Sequence, residues 1–104
     1  MLLTGLAPDP RRPDYRLVEV DRGRFASLPA DALAGLGLVV GGEIGPRVFA
    51  RLQEFVLKAK SDELRIRLQK LNPQTEAGYD ELFHELVAVD GDLRRIRQGL
   101  LDAG

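Results

Sequence analysis

Tyr79, Leu82, Leu86, Val89, Leu93, Ile96 and Leu100 recur at alternating spacings of three and four, a heptad seam sustained along one helix. A helix of this kind is apolar along one whole face and must bury it against another element. The stretch before it supplies that element. Gly45-Pro46 opens a helix, since proline in the first helical position loses no hydrogen bond. Val48, Leu52, Phe55, Val56 and Ala59, then Leu64, Leu68 and Leu71, form its apolar stripe, with a phase slip predicted around Lys60-Ser61-Asp62. Asn72-Pro73 ends it, because the residue before proline is pushed out of helical geometry, and Thr75 caps the next helix. Residues 47–101 are therefore predicted to fold back as a helical hairpin.

Charge supports an antiparallel pairing. The first arm is mostly basic, whereas the second begins with Glu76, Asp80, Glu81 and Glu85 and turns basic only at Arg94, Arg95 and Arg97. Antiparallel arms bring Arg65, Arg67 and Lys70 near Asp80, Glu81 and Glu85. Each exposed pair is worth about 0.5 kcal/mol or less, but together they favour one register. The acidic start and basic end of the second arm also suit a helix dipole.

The front half has a different rhythm. Pro8, Pro10 and Pro13 with Arg11 and Arg12 make residues 1–13 an extended leader with little to bury. Residues 15–20 read as a strand, Asp21-Arg22-Gly23 as a three-residue connection with glycine left-handed, and residues 24–28 as the returning strand. A short helix follows at 30–34, stopped by Gly35 and Gly37, and Leu38-Val39-Val40 reads as a third strand cut off by Gly41-Gly42. The predicted fold class is α+β: a small β-hairpin unit at 14–45 followed by a long antiparallel helical hairpin at 46–104.

Composition narrows the function. With 104 residues and a net charge of −1, the chain holds one domain or one small unit plus an extended element. The near-neutral balance counts against nucleic-acid binding by charge alone and leaves direct contact open. The absence of cysteine removes disulfides, thiol catalysis and most structural zinc sites. Neither a signal peptide nor a membrane-length apolar run is visible, so the expectation is a soluble, cytoplasmic chain.

Catalytic and cofactor chemistry finds no anchor. His84 sits among Asp80, Glu81 and Glu85, but only Asp80 lies one turn away at a useful spacing. Three converging metal ligands are not visible, and a solvent-facing histidine is the simpler reading. The glycines of residues 35–41 sit in the wrong context for a dinucleotide loop, which leaves a strand and enters a helix; a helix stop plus a turn explains them. Asp90-Gly91-Asp92 lacks the other ligands of a calcium loop and lies within the heptad seam. Arg94, Arg95 and Arg97 suit either an acidic or phosphate-bearing partner or a solvated helix face. No metal, cofactor or catalytic group is predicted, and the chain is not expected to be an enzyme.

Arg51-Leu52-Gln53-Glu54, the run from Leu64 to Asn72-Pro73, Tyr79-Asp80-Glu81-Leu82-Phe83-His84-Glu85-Leu86-Val87-Ala88 and Leu93-Arg94-Arg95 resemble the C-terminal helical hairpin of bacterial DNA primase. That region of the family docks on the replicative helicase. The resemblance spans residues 47–104 and implies a non-catalytic interaction module of DNA replication with a replicative helicase as partner. The partner-facing surface is then expected near the interhelical loop and the outward face of the second arm, at Gln74, Tyr79, Phe83, His84, Arg94 and Arg95. The alternative is that Tyr79 and Phe83 close the top of the hairpin core.

Residues 14–45 are similar to the N-terminal segment of RecX-type recombination regulators, through Tyr15-Arg16-Leu17-Val18-Glu19-Val20, Gly23-Arg24-Phe25-Ala26-Ser27-Leu28 and the glycine-rich stretch up to Ile44. This likeness implies the alternative role of modulating a recombinase filament. Two partial likenesses in one chain imply a joining of segments, natural or engineered, for which a structural homo-oligomer is the third reading. Self-association is expected in any case, because Phe49, Phe55, Val56, Phe83 and Val87 spread over more helix surface than one contact buries.

Overall fold

Three strands, β1 (Leu3–Asp9), β2 (Arg12–Val20) and β3 (Gly23–Pro29), form an antiparallel sheet in the order β1-β2-β3. The short helix α1 (Ala30–Ala34) follows, then the long helices α2 (Pro46–Gln69) and α3 (Tyr79–Ala103). The computed structural model describes residues 1–71, 74 and 77–103. The fold is α+β, as the sequence pattern predicts. The chain divides into two units, Met1–Phe49 and Ala50–Gly104.

The stretch expected as an extended leader is the first strand of the sheet. Leu3 is buried, with its Cα paired to Val20 in β2. On its other side its N–H donates to the Gly42 carbonyl and its own carbonyl accepts from Gly41 N–H, so residues 41–44 cover the edge. The prolines do not prevent this. Pro8 lies in β1, which has β2 along one side only, while Pro13 falls outside the paired positions of both ladders.

The β2–β3 connection also departs from the sequence reading. Val20 pairs directly with Gly23, leaving a two-residue turn in which Asp21 and Arg22 take φ of 50° and 66°. Positive φ at both central residues matches the twist of a tight hairpin. Gly23, expected to be the left-handed residue, already belongs to β3. The turn is held from β1 and the residue before it: Asp21 Oδ1 accepts the Leu2 N–H at 2.8 Å, and the Arg22 N–H donates to Thr4 Oγ1 at 2.8 Å. These bonds offset the roughly 1 kcal/mol or more that a left-handed arginine costs.

Leu38-Val39-Val40 is not a strand. Val39 and Val40 are exposed, and the chain turns at once through Gly41, whose φ is +87°, and Gly42. A Cβ on Gly42 would stand 2.9 Å from the Val39 carbonyl oxygen, closer than a side chain can sit. The turn returns Ile44 to a buried position, joining Leu3, Val18, Leu28 and Leu33 among the buried apolar residues of this unit. Phe25 and Phe49 add a tilted ring pair with centroids 5.6 Å apart. The helix α1 and its stop at Gly35 stand where the sequence places them.

Pro46 is the first residue of α2, and the helix closes with Lys70 and Leu71 donating to the carbonyls of Arg67 and Leu68. Asn72-Pro73 and the Thr75 cap lie outside the described residues. Asp80 and Glu81 occupy the first turn of α3, as the dipole argument asks. Its basic residues do not occupy the last turn, because the helix continues past Arg97 to Ala103.

Candidate interaction surface on the helical hairpin

The seam of α3 is buried as its spacing demands. Leu86, Val89, Leu93 and Leu100 are buried, and Tyr79, Leu82 and Ile96 are partly so. Leu64, Leu86 and Val89 form the core cluster, with Leu57, Leu68 and Leu82 packed against it. The buried face of α2 does shift, but earlier than Lys60-Ser61-Asp62: Leu52 is fully buried and Phe55 and Val56 partly so on one face, while a second series runs on through Lys60-Ser61-Asp62 without interruption. Glu54, Leu57, Ser61, Leu64, Leu68 and Leu71 keep spacings of three and four throughout, with Glu54 and Ser61 buried at seam positions. Two polar residues inside the seam hide the period from an apolar count.

Both polar positions are answered from α3. The Ser61 hydroxyl donates to Asp90 Oδ1 at 2.7 Å, and Arg65 Nη2 donates to Asp90 Oδ2 at 2.5 Å. Glu54 accepts from Arg51 Nη1 through Oε1 and from Arg97 Nε through Oε2, each at 2.9 Å. Burial works to raise the Glu54 carboxyl, but the hydrogen bonds from Arg51 and then Arg97 outweigh it and hold the group below the ordinary carboxylate value. No buried side-chain polar atom lacks a partner among the described residues. Pairs of this kind lock one register, since sliding either helix by a turn would strand a buried carboxylate.

Charge pairing across the hairpin therefore exists with partners other than those predicted. Arg65 reaches Asp90, and Glu85 is taken by Lys60 at 3.3 Å. No ion pair involves Arg67, Lys70, Asp80 or Glu81 among the described residues. With Ser61 level with Asp90 and Glu54 level with Arg97, the seam residues decide the register and the surface charges adapt.

The predicted docking residues separate into groups. Gln74 is exposed in the connection. Tyr79, at the first position of α3, is half-buried on the seam. Phe83 faces outward with 47% of its surface exposed, so it does not close the top of the core. Its ring stands 6.3 Å from that of the exposed His84, and Val87 one turn on is 51% exposed. Arg94 lies about 16 Å further along on the same helical face, by the rise and turn of an α-helix. Its Nε donates to the Asp90 carbonyl at 3.5 Å, while Arg95 is paired with Asp92.

The exposed side of α3 thus carries Phe83 and Val87 among the carboxylates Asp80, Glu81 and Glu85 in its first half, and Arg94, Arg95 and Arg97 with Asp92 in its second. No three or more histidine, cysteine or carboxylate side chains gather into a metal site among the described residues. None of the described helices is long and apolar enough to cross a membrane. Glu54, Ser61 and Asp90 were named from sequence only within motifs, at the expected phase slip and as a rejected calcium loop, and not as residues that pair across the seam. The signal was there: continuing the spacing of Leu71, Leu68 and Leu64 backwards lands on Ser61, Leu57 and Glu54. No protein-family profile, curated protein or solved structure matches the chain.

Proposed function

We propose that the helical hairpin is a non-catalytic docking module, and that the outward face of α3 receives a protein partner. The observation that carries this is the exposed ridge of Phe83 and Val87 beside His84, on a helix whose seam is already satisfied within the hairpin. Aromatic and aliphatic anchors within a polar rim form the usual chemistry of an interface. The resemblance of both arms to the primase hairpin supports a replicative helicase as the partner and, with it, a role in the cytoplasm during DNA replication. Capture of purified replicative helicase by the immobilised chain is the test. Phe83→Ala should retain the parent's helix content and melting temperature while losing capture. Equal capture by parent and variant would move the interface elsewhere, and a parent that binds no replicative helicase would remove the partner assignment.

A further inference from the structure

Arg11, Arg12 and Arg24 line one concavity of about 530 Å³ in the strand unit, together with Asp9, Leu17 and Ser27. Local structure brings them there. Arg11 is in the β1–β2 turn, Arg12 starts β2, and Arg24 lies in β3. Asp9 holds the turn: its Oδ1 accepts the Arg11 N–H at 2.9 Å, and its Oδ2 accepts the Ser27 hydroxyl at 2.6 Å. Asp9 is buried, and both its oxygens are engaged by neutral donors. The guanidinium carbon of Arg12 stands 4.9 Å from the Tyr15 ring centroid, which steadies that cation without neutralising it.

None of the three arginines forms an ion pair among the described residues. Glu19 is the ladder partner of Arg24, yet no salt bridge joins them. Three arginines therefore line one concavity with a single lining carboxylate, whose two oxygens already accept hydrogen bonds. Such a site is short of negative charge, and planar guanidinium forks match the oxygens of a tetrahedral oxyanion.

We propose that this concavity binds a phosphate group, carried either by a small phosphorylated molecule or by a nucleic-acid backbone. Arg11 and Arg24 grip the oxygens directly, and Arg12, stacked on Tyr15, supplies the third positive charge. The site lies wholly in the strand unit and does not depend on the hairpin's role.

The test is an amide NMR titration of the full chain with inorganic phosphate, against chloride at equal ionic strength. Phosphate should give saturable shifts at Arg11, Arg12 and Ser27 that chloride does not reproduce. Arg11→Gln and Arg24→Gln should each weaken binding by about tenfold or more, the usual effect of losing a charge-assisted hydrogen bond. Both side chains are exposed, and unchanged shifts at Val18 and Leu28 will show the fold kept. Arg67→Gln, which removes the same charge from the hairpin, should bind like the parent. A short single-stranded oligothymidylate separates the two sources. Shifts at the same amides with tighter, steeply salt-dependent binding assign the backbone; binding no tighter than inorganic phosphate assigns a small ligand. Linear shifts shared with chloride, or binding equal to the parent's by a variant carrying both Arg11→Gln and Arg24→Gln, overturn the proposal.

Discussion

Replacing Leu86 by alanine tests whether the seam is closed within the chain. Leu86 is 8% exposed and shares its cluster with Leu64 and Val89, with Leu57, Leu68 and Leu82 around them. The substitution removes everything beyond Cβ. At about 0.8 kcal/mol per buried carbon, the lost transfer free energy is roughly 2–2.5 kcal/mol. The void adds to this: about 70 Å³ left unfilled would contribute about 1.7 kcal/mol at ~24 cal/mol per Å³. Two helices can close part of that gap, so the expected loss is about 2–4 kcal/mol. Urea unfolding followed by helical ellipticity measures it, with an unchanged slope showing that the two states compared are the same. Leu101→Ala is the matched control, because Leu101 is 75% exposed and should cost less than about 0.5 kcal/mol. If the two variants lose equal stability, Leu86 is not buried between the arms and the intramolecular hairpin is wrong.

Acid should weaken the hairpin through Glu54. Its carboxyl sits lower in the folded chain than in the unfolded one, so its contribution is present above the unfolded value and is lost as pH falls through the folded value. The melting temperature of the parent should therefore drop further than that of Glu54→Gln on acidification through that range, and parallel curves would refute the pairing with Arg51 and Arg97. In the strand unit, the Ser27 hydroxyl and then the Arg11 N–H hold the Asp9 carboxyl below its ordinary value. Ser27→Ala should let Asp9 titrate at higher pH, read from its side-chain carbon shift; an unmoved midpoint would contradict this. The exposed Phe83 and Val87 should drive self-association that grows with concentration and is reduced by Val87→Glu. Sedimentation of the parent as a monomer at every concentration would exclude it.

Most of the hairpin was legible because its signals are local. The three-four spacing from Tyr79 to Leu100, proline at the start of α2 and acidic residues at the start of α3 act over a few residues of chain. The same holds for α1 and its glycine stop. Phe83 was named from sequence as a docking residue or a core cap, and its exposure removes the second. That exposure depends on where the seam of α3 meets α2, which an isolated helix does not specify.

The amino-acid pattern by itself determined two long antiparallel helices, a short helix and a β-hairpin, since periodicity and turn residues act through neighbouring backbone. Tertiary structure decided the rest. β1 exists because residues 41–44 cover one side of Leu3 while β2 pairs with the other, and Asp21-Arg22 is a tight turn because Leu2 and Thr4 bond to it. Glu54 and Ser61 belong in the seam only because Arg97 and Asp90, 43 and 29 residues away, satisfy them there. A polar side chain carries no mark of its partner in its own sequence neighbourhood; burial is favourable only once the fold has brought that partner into reach.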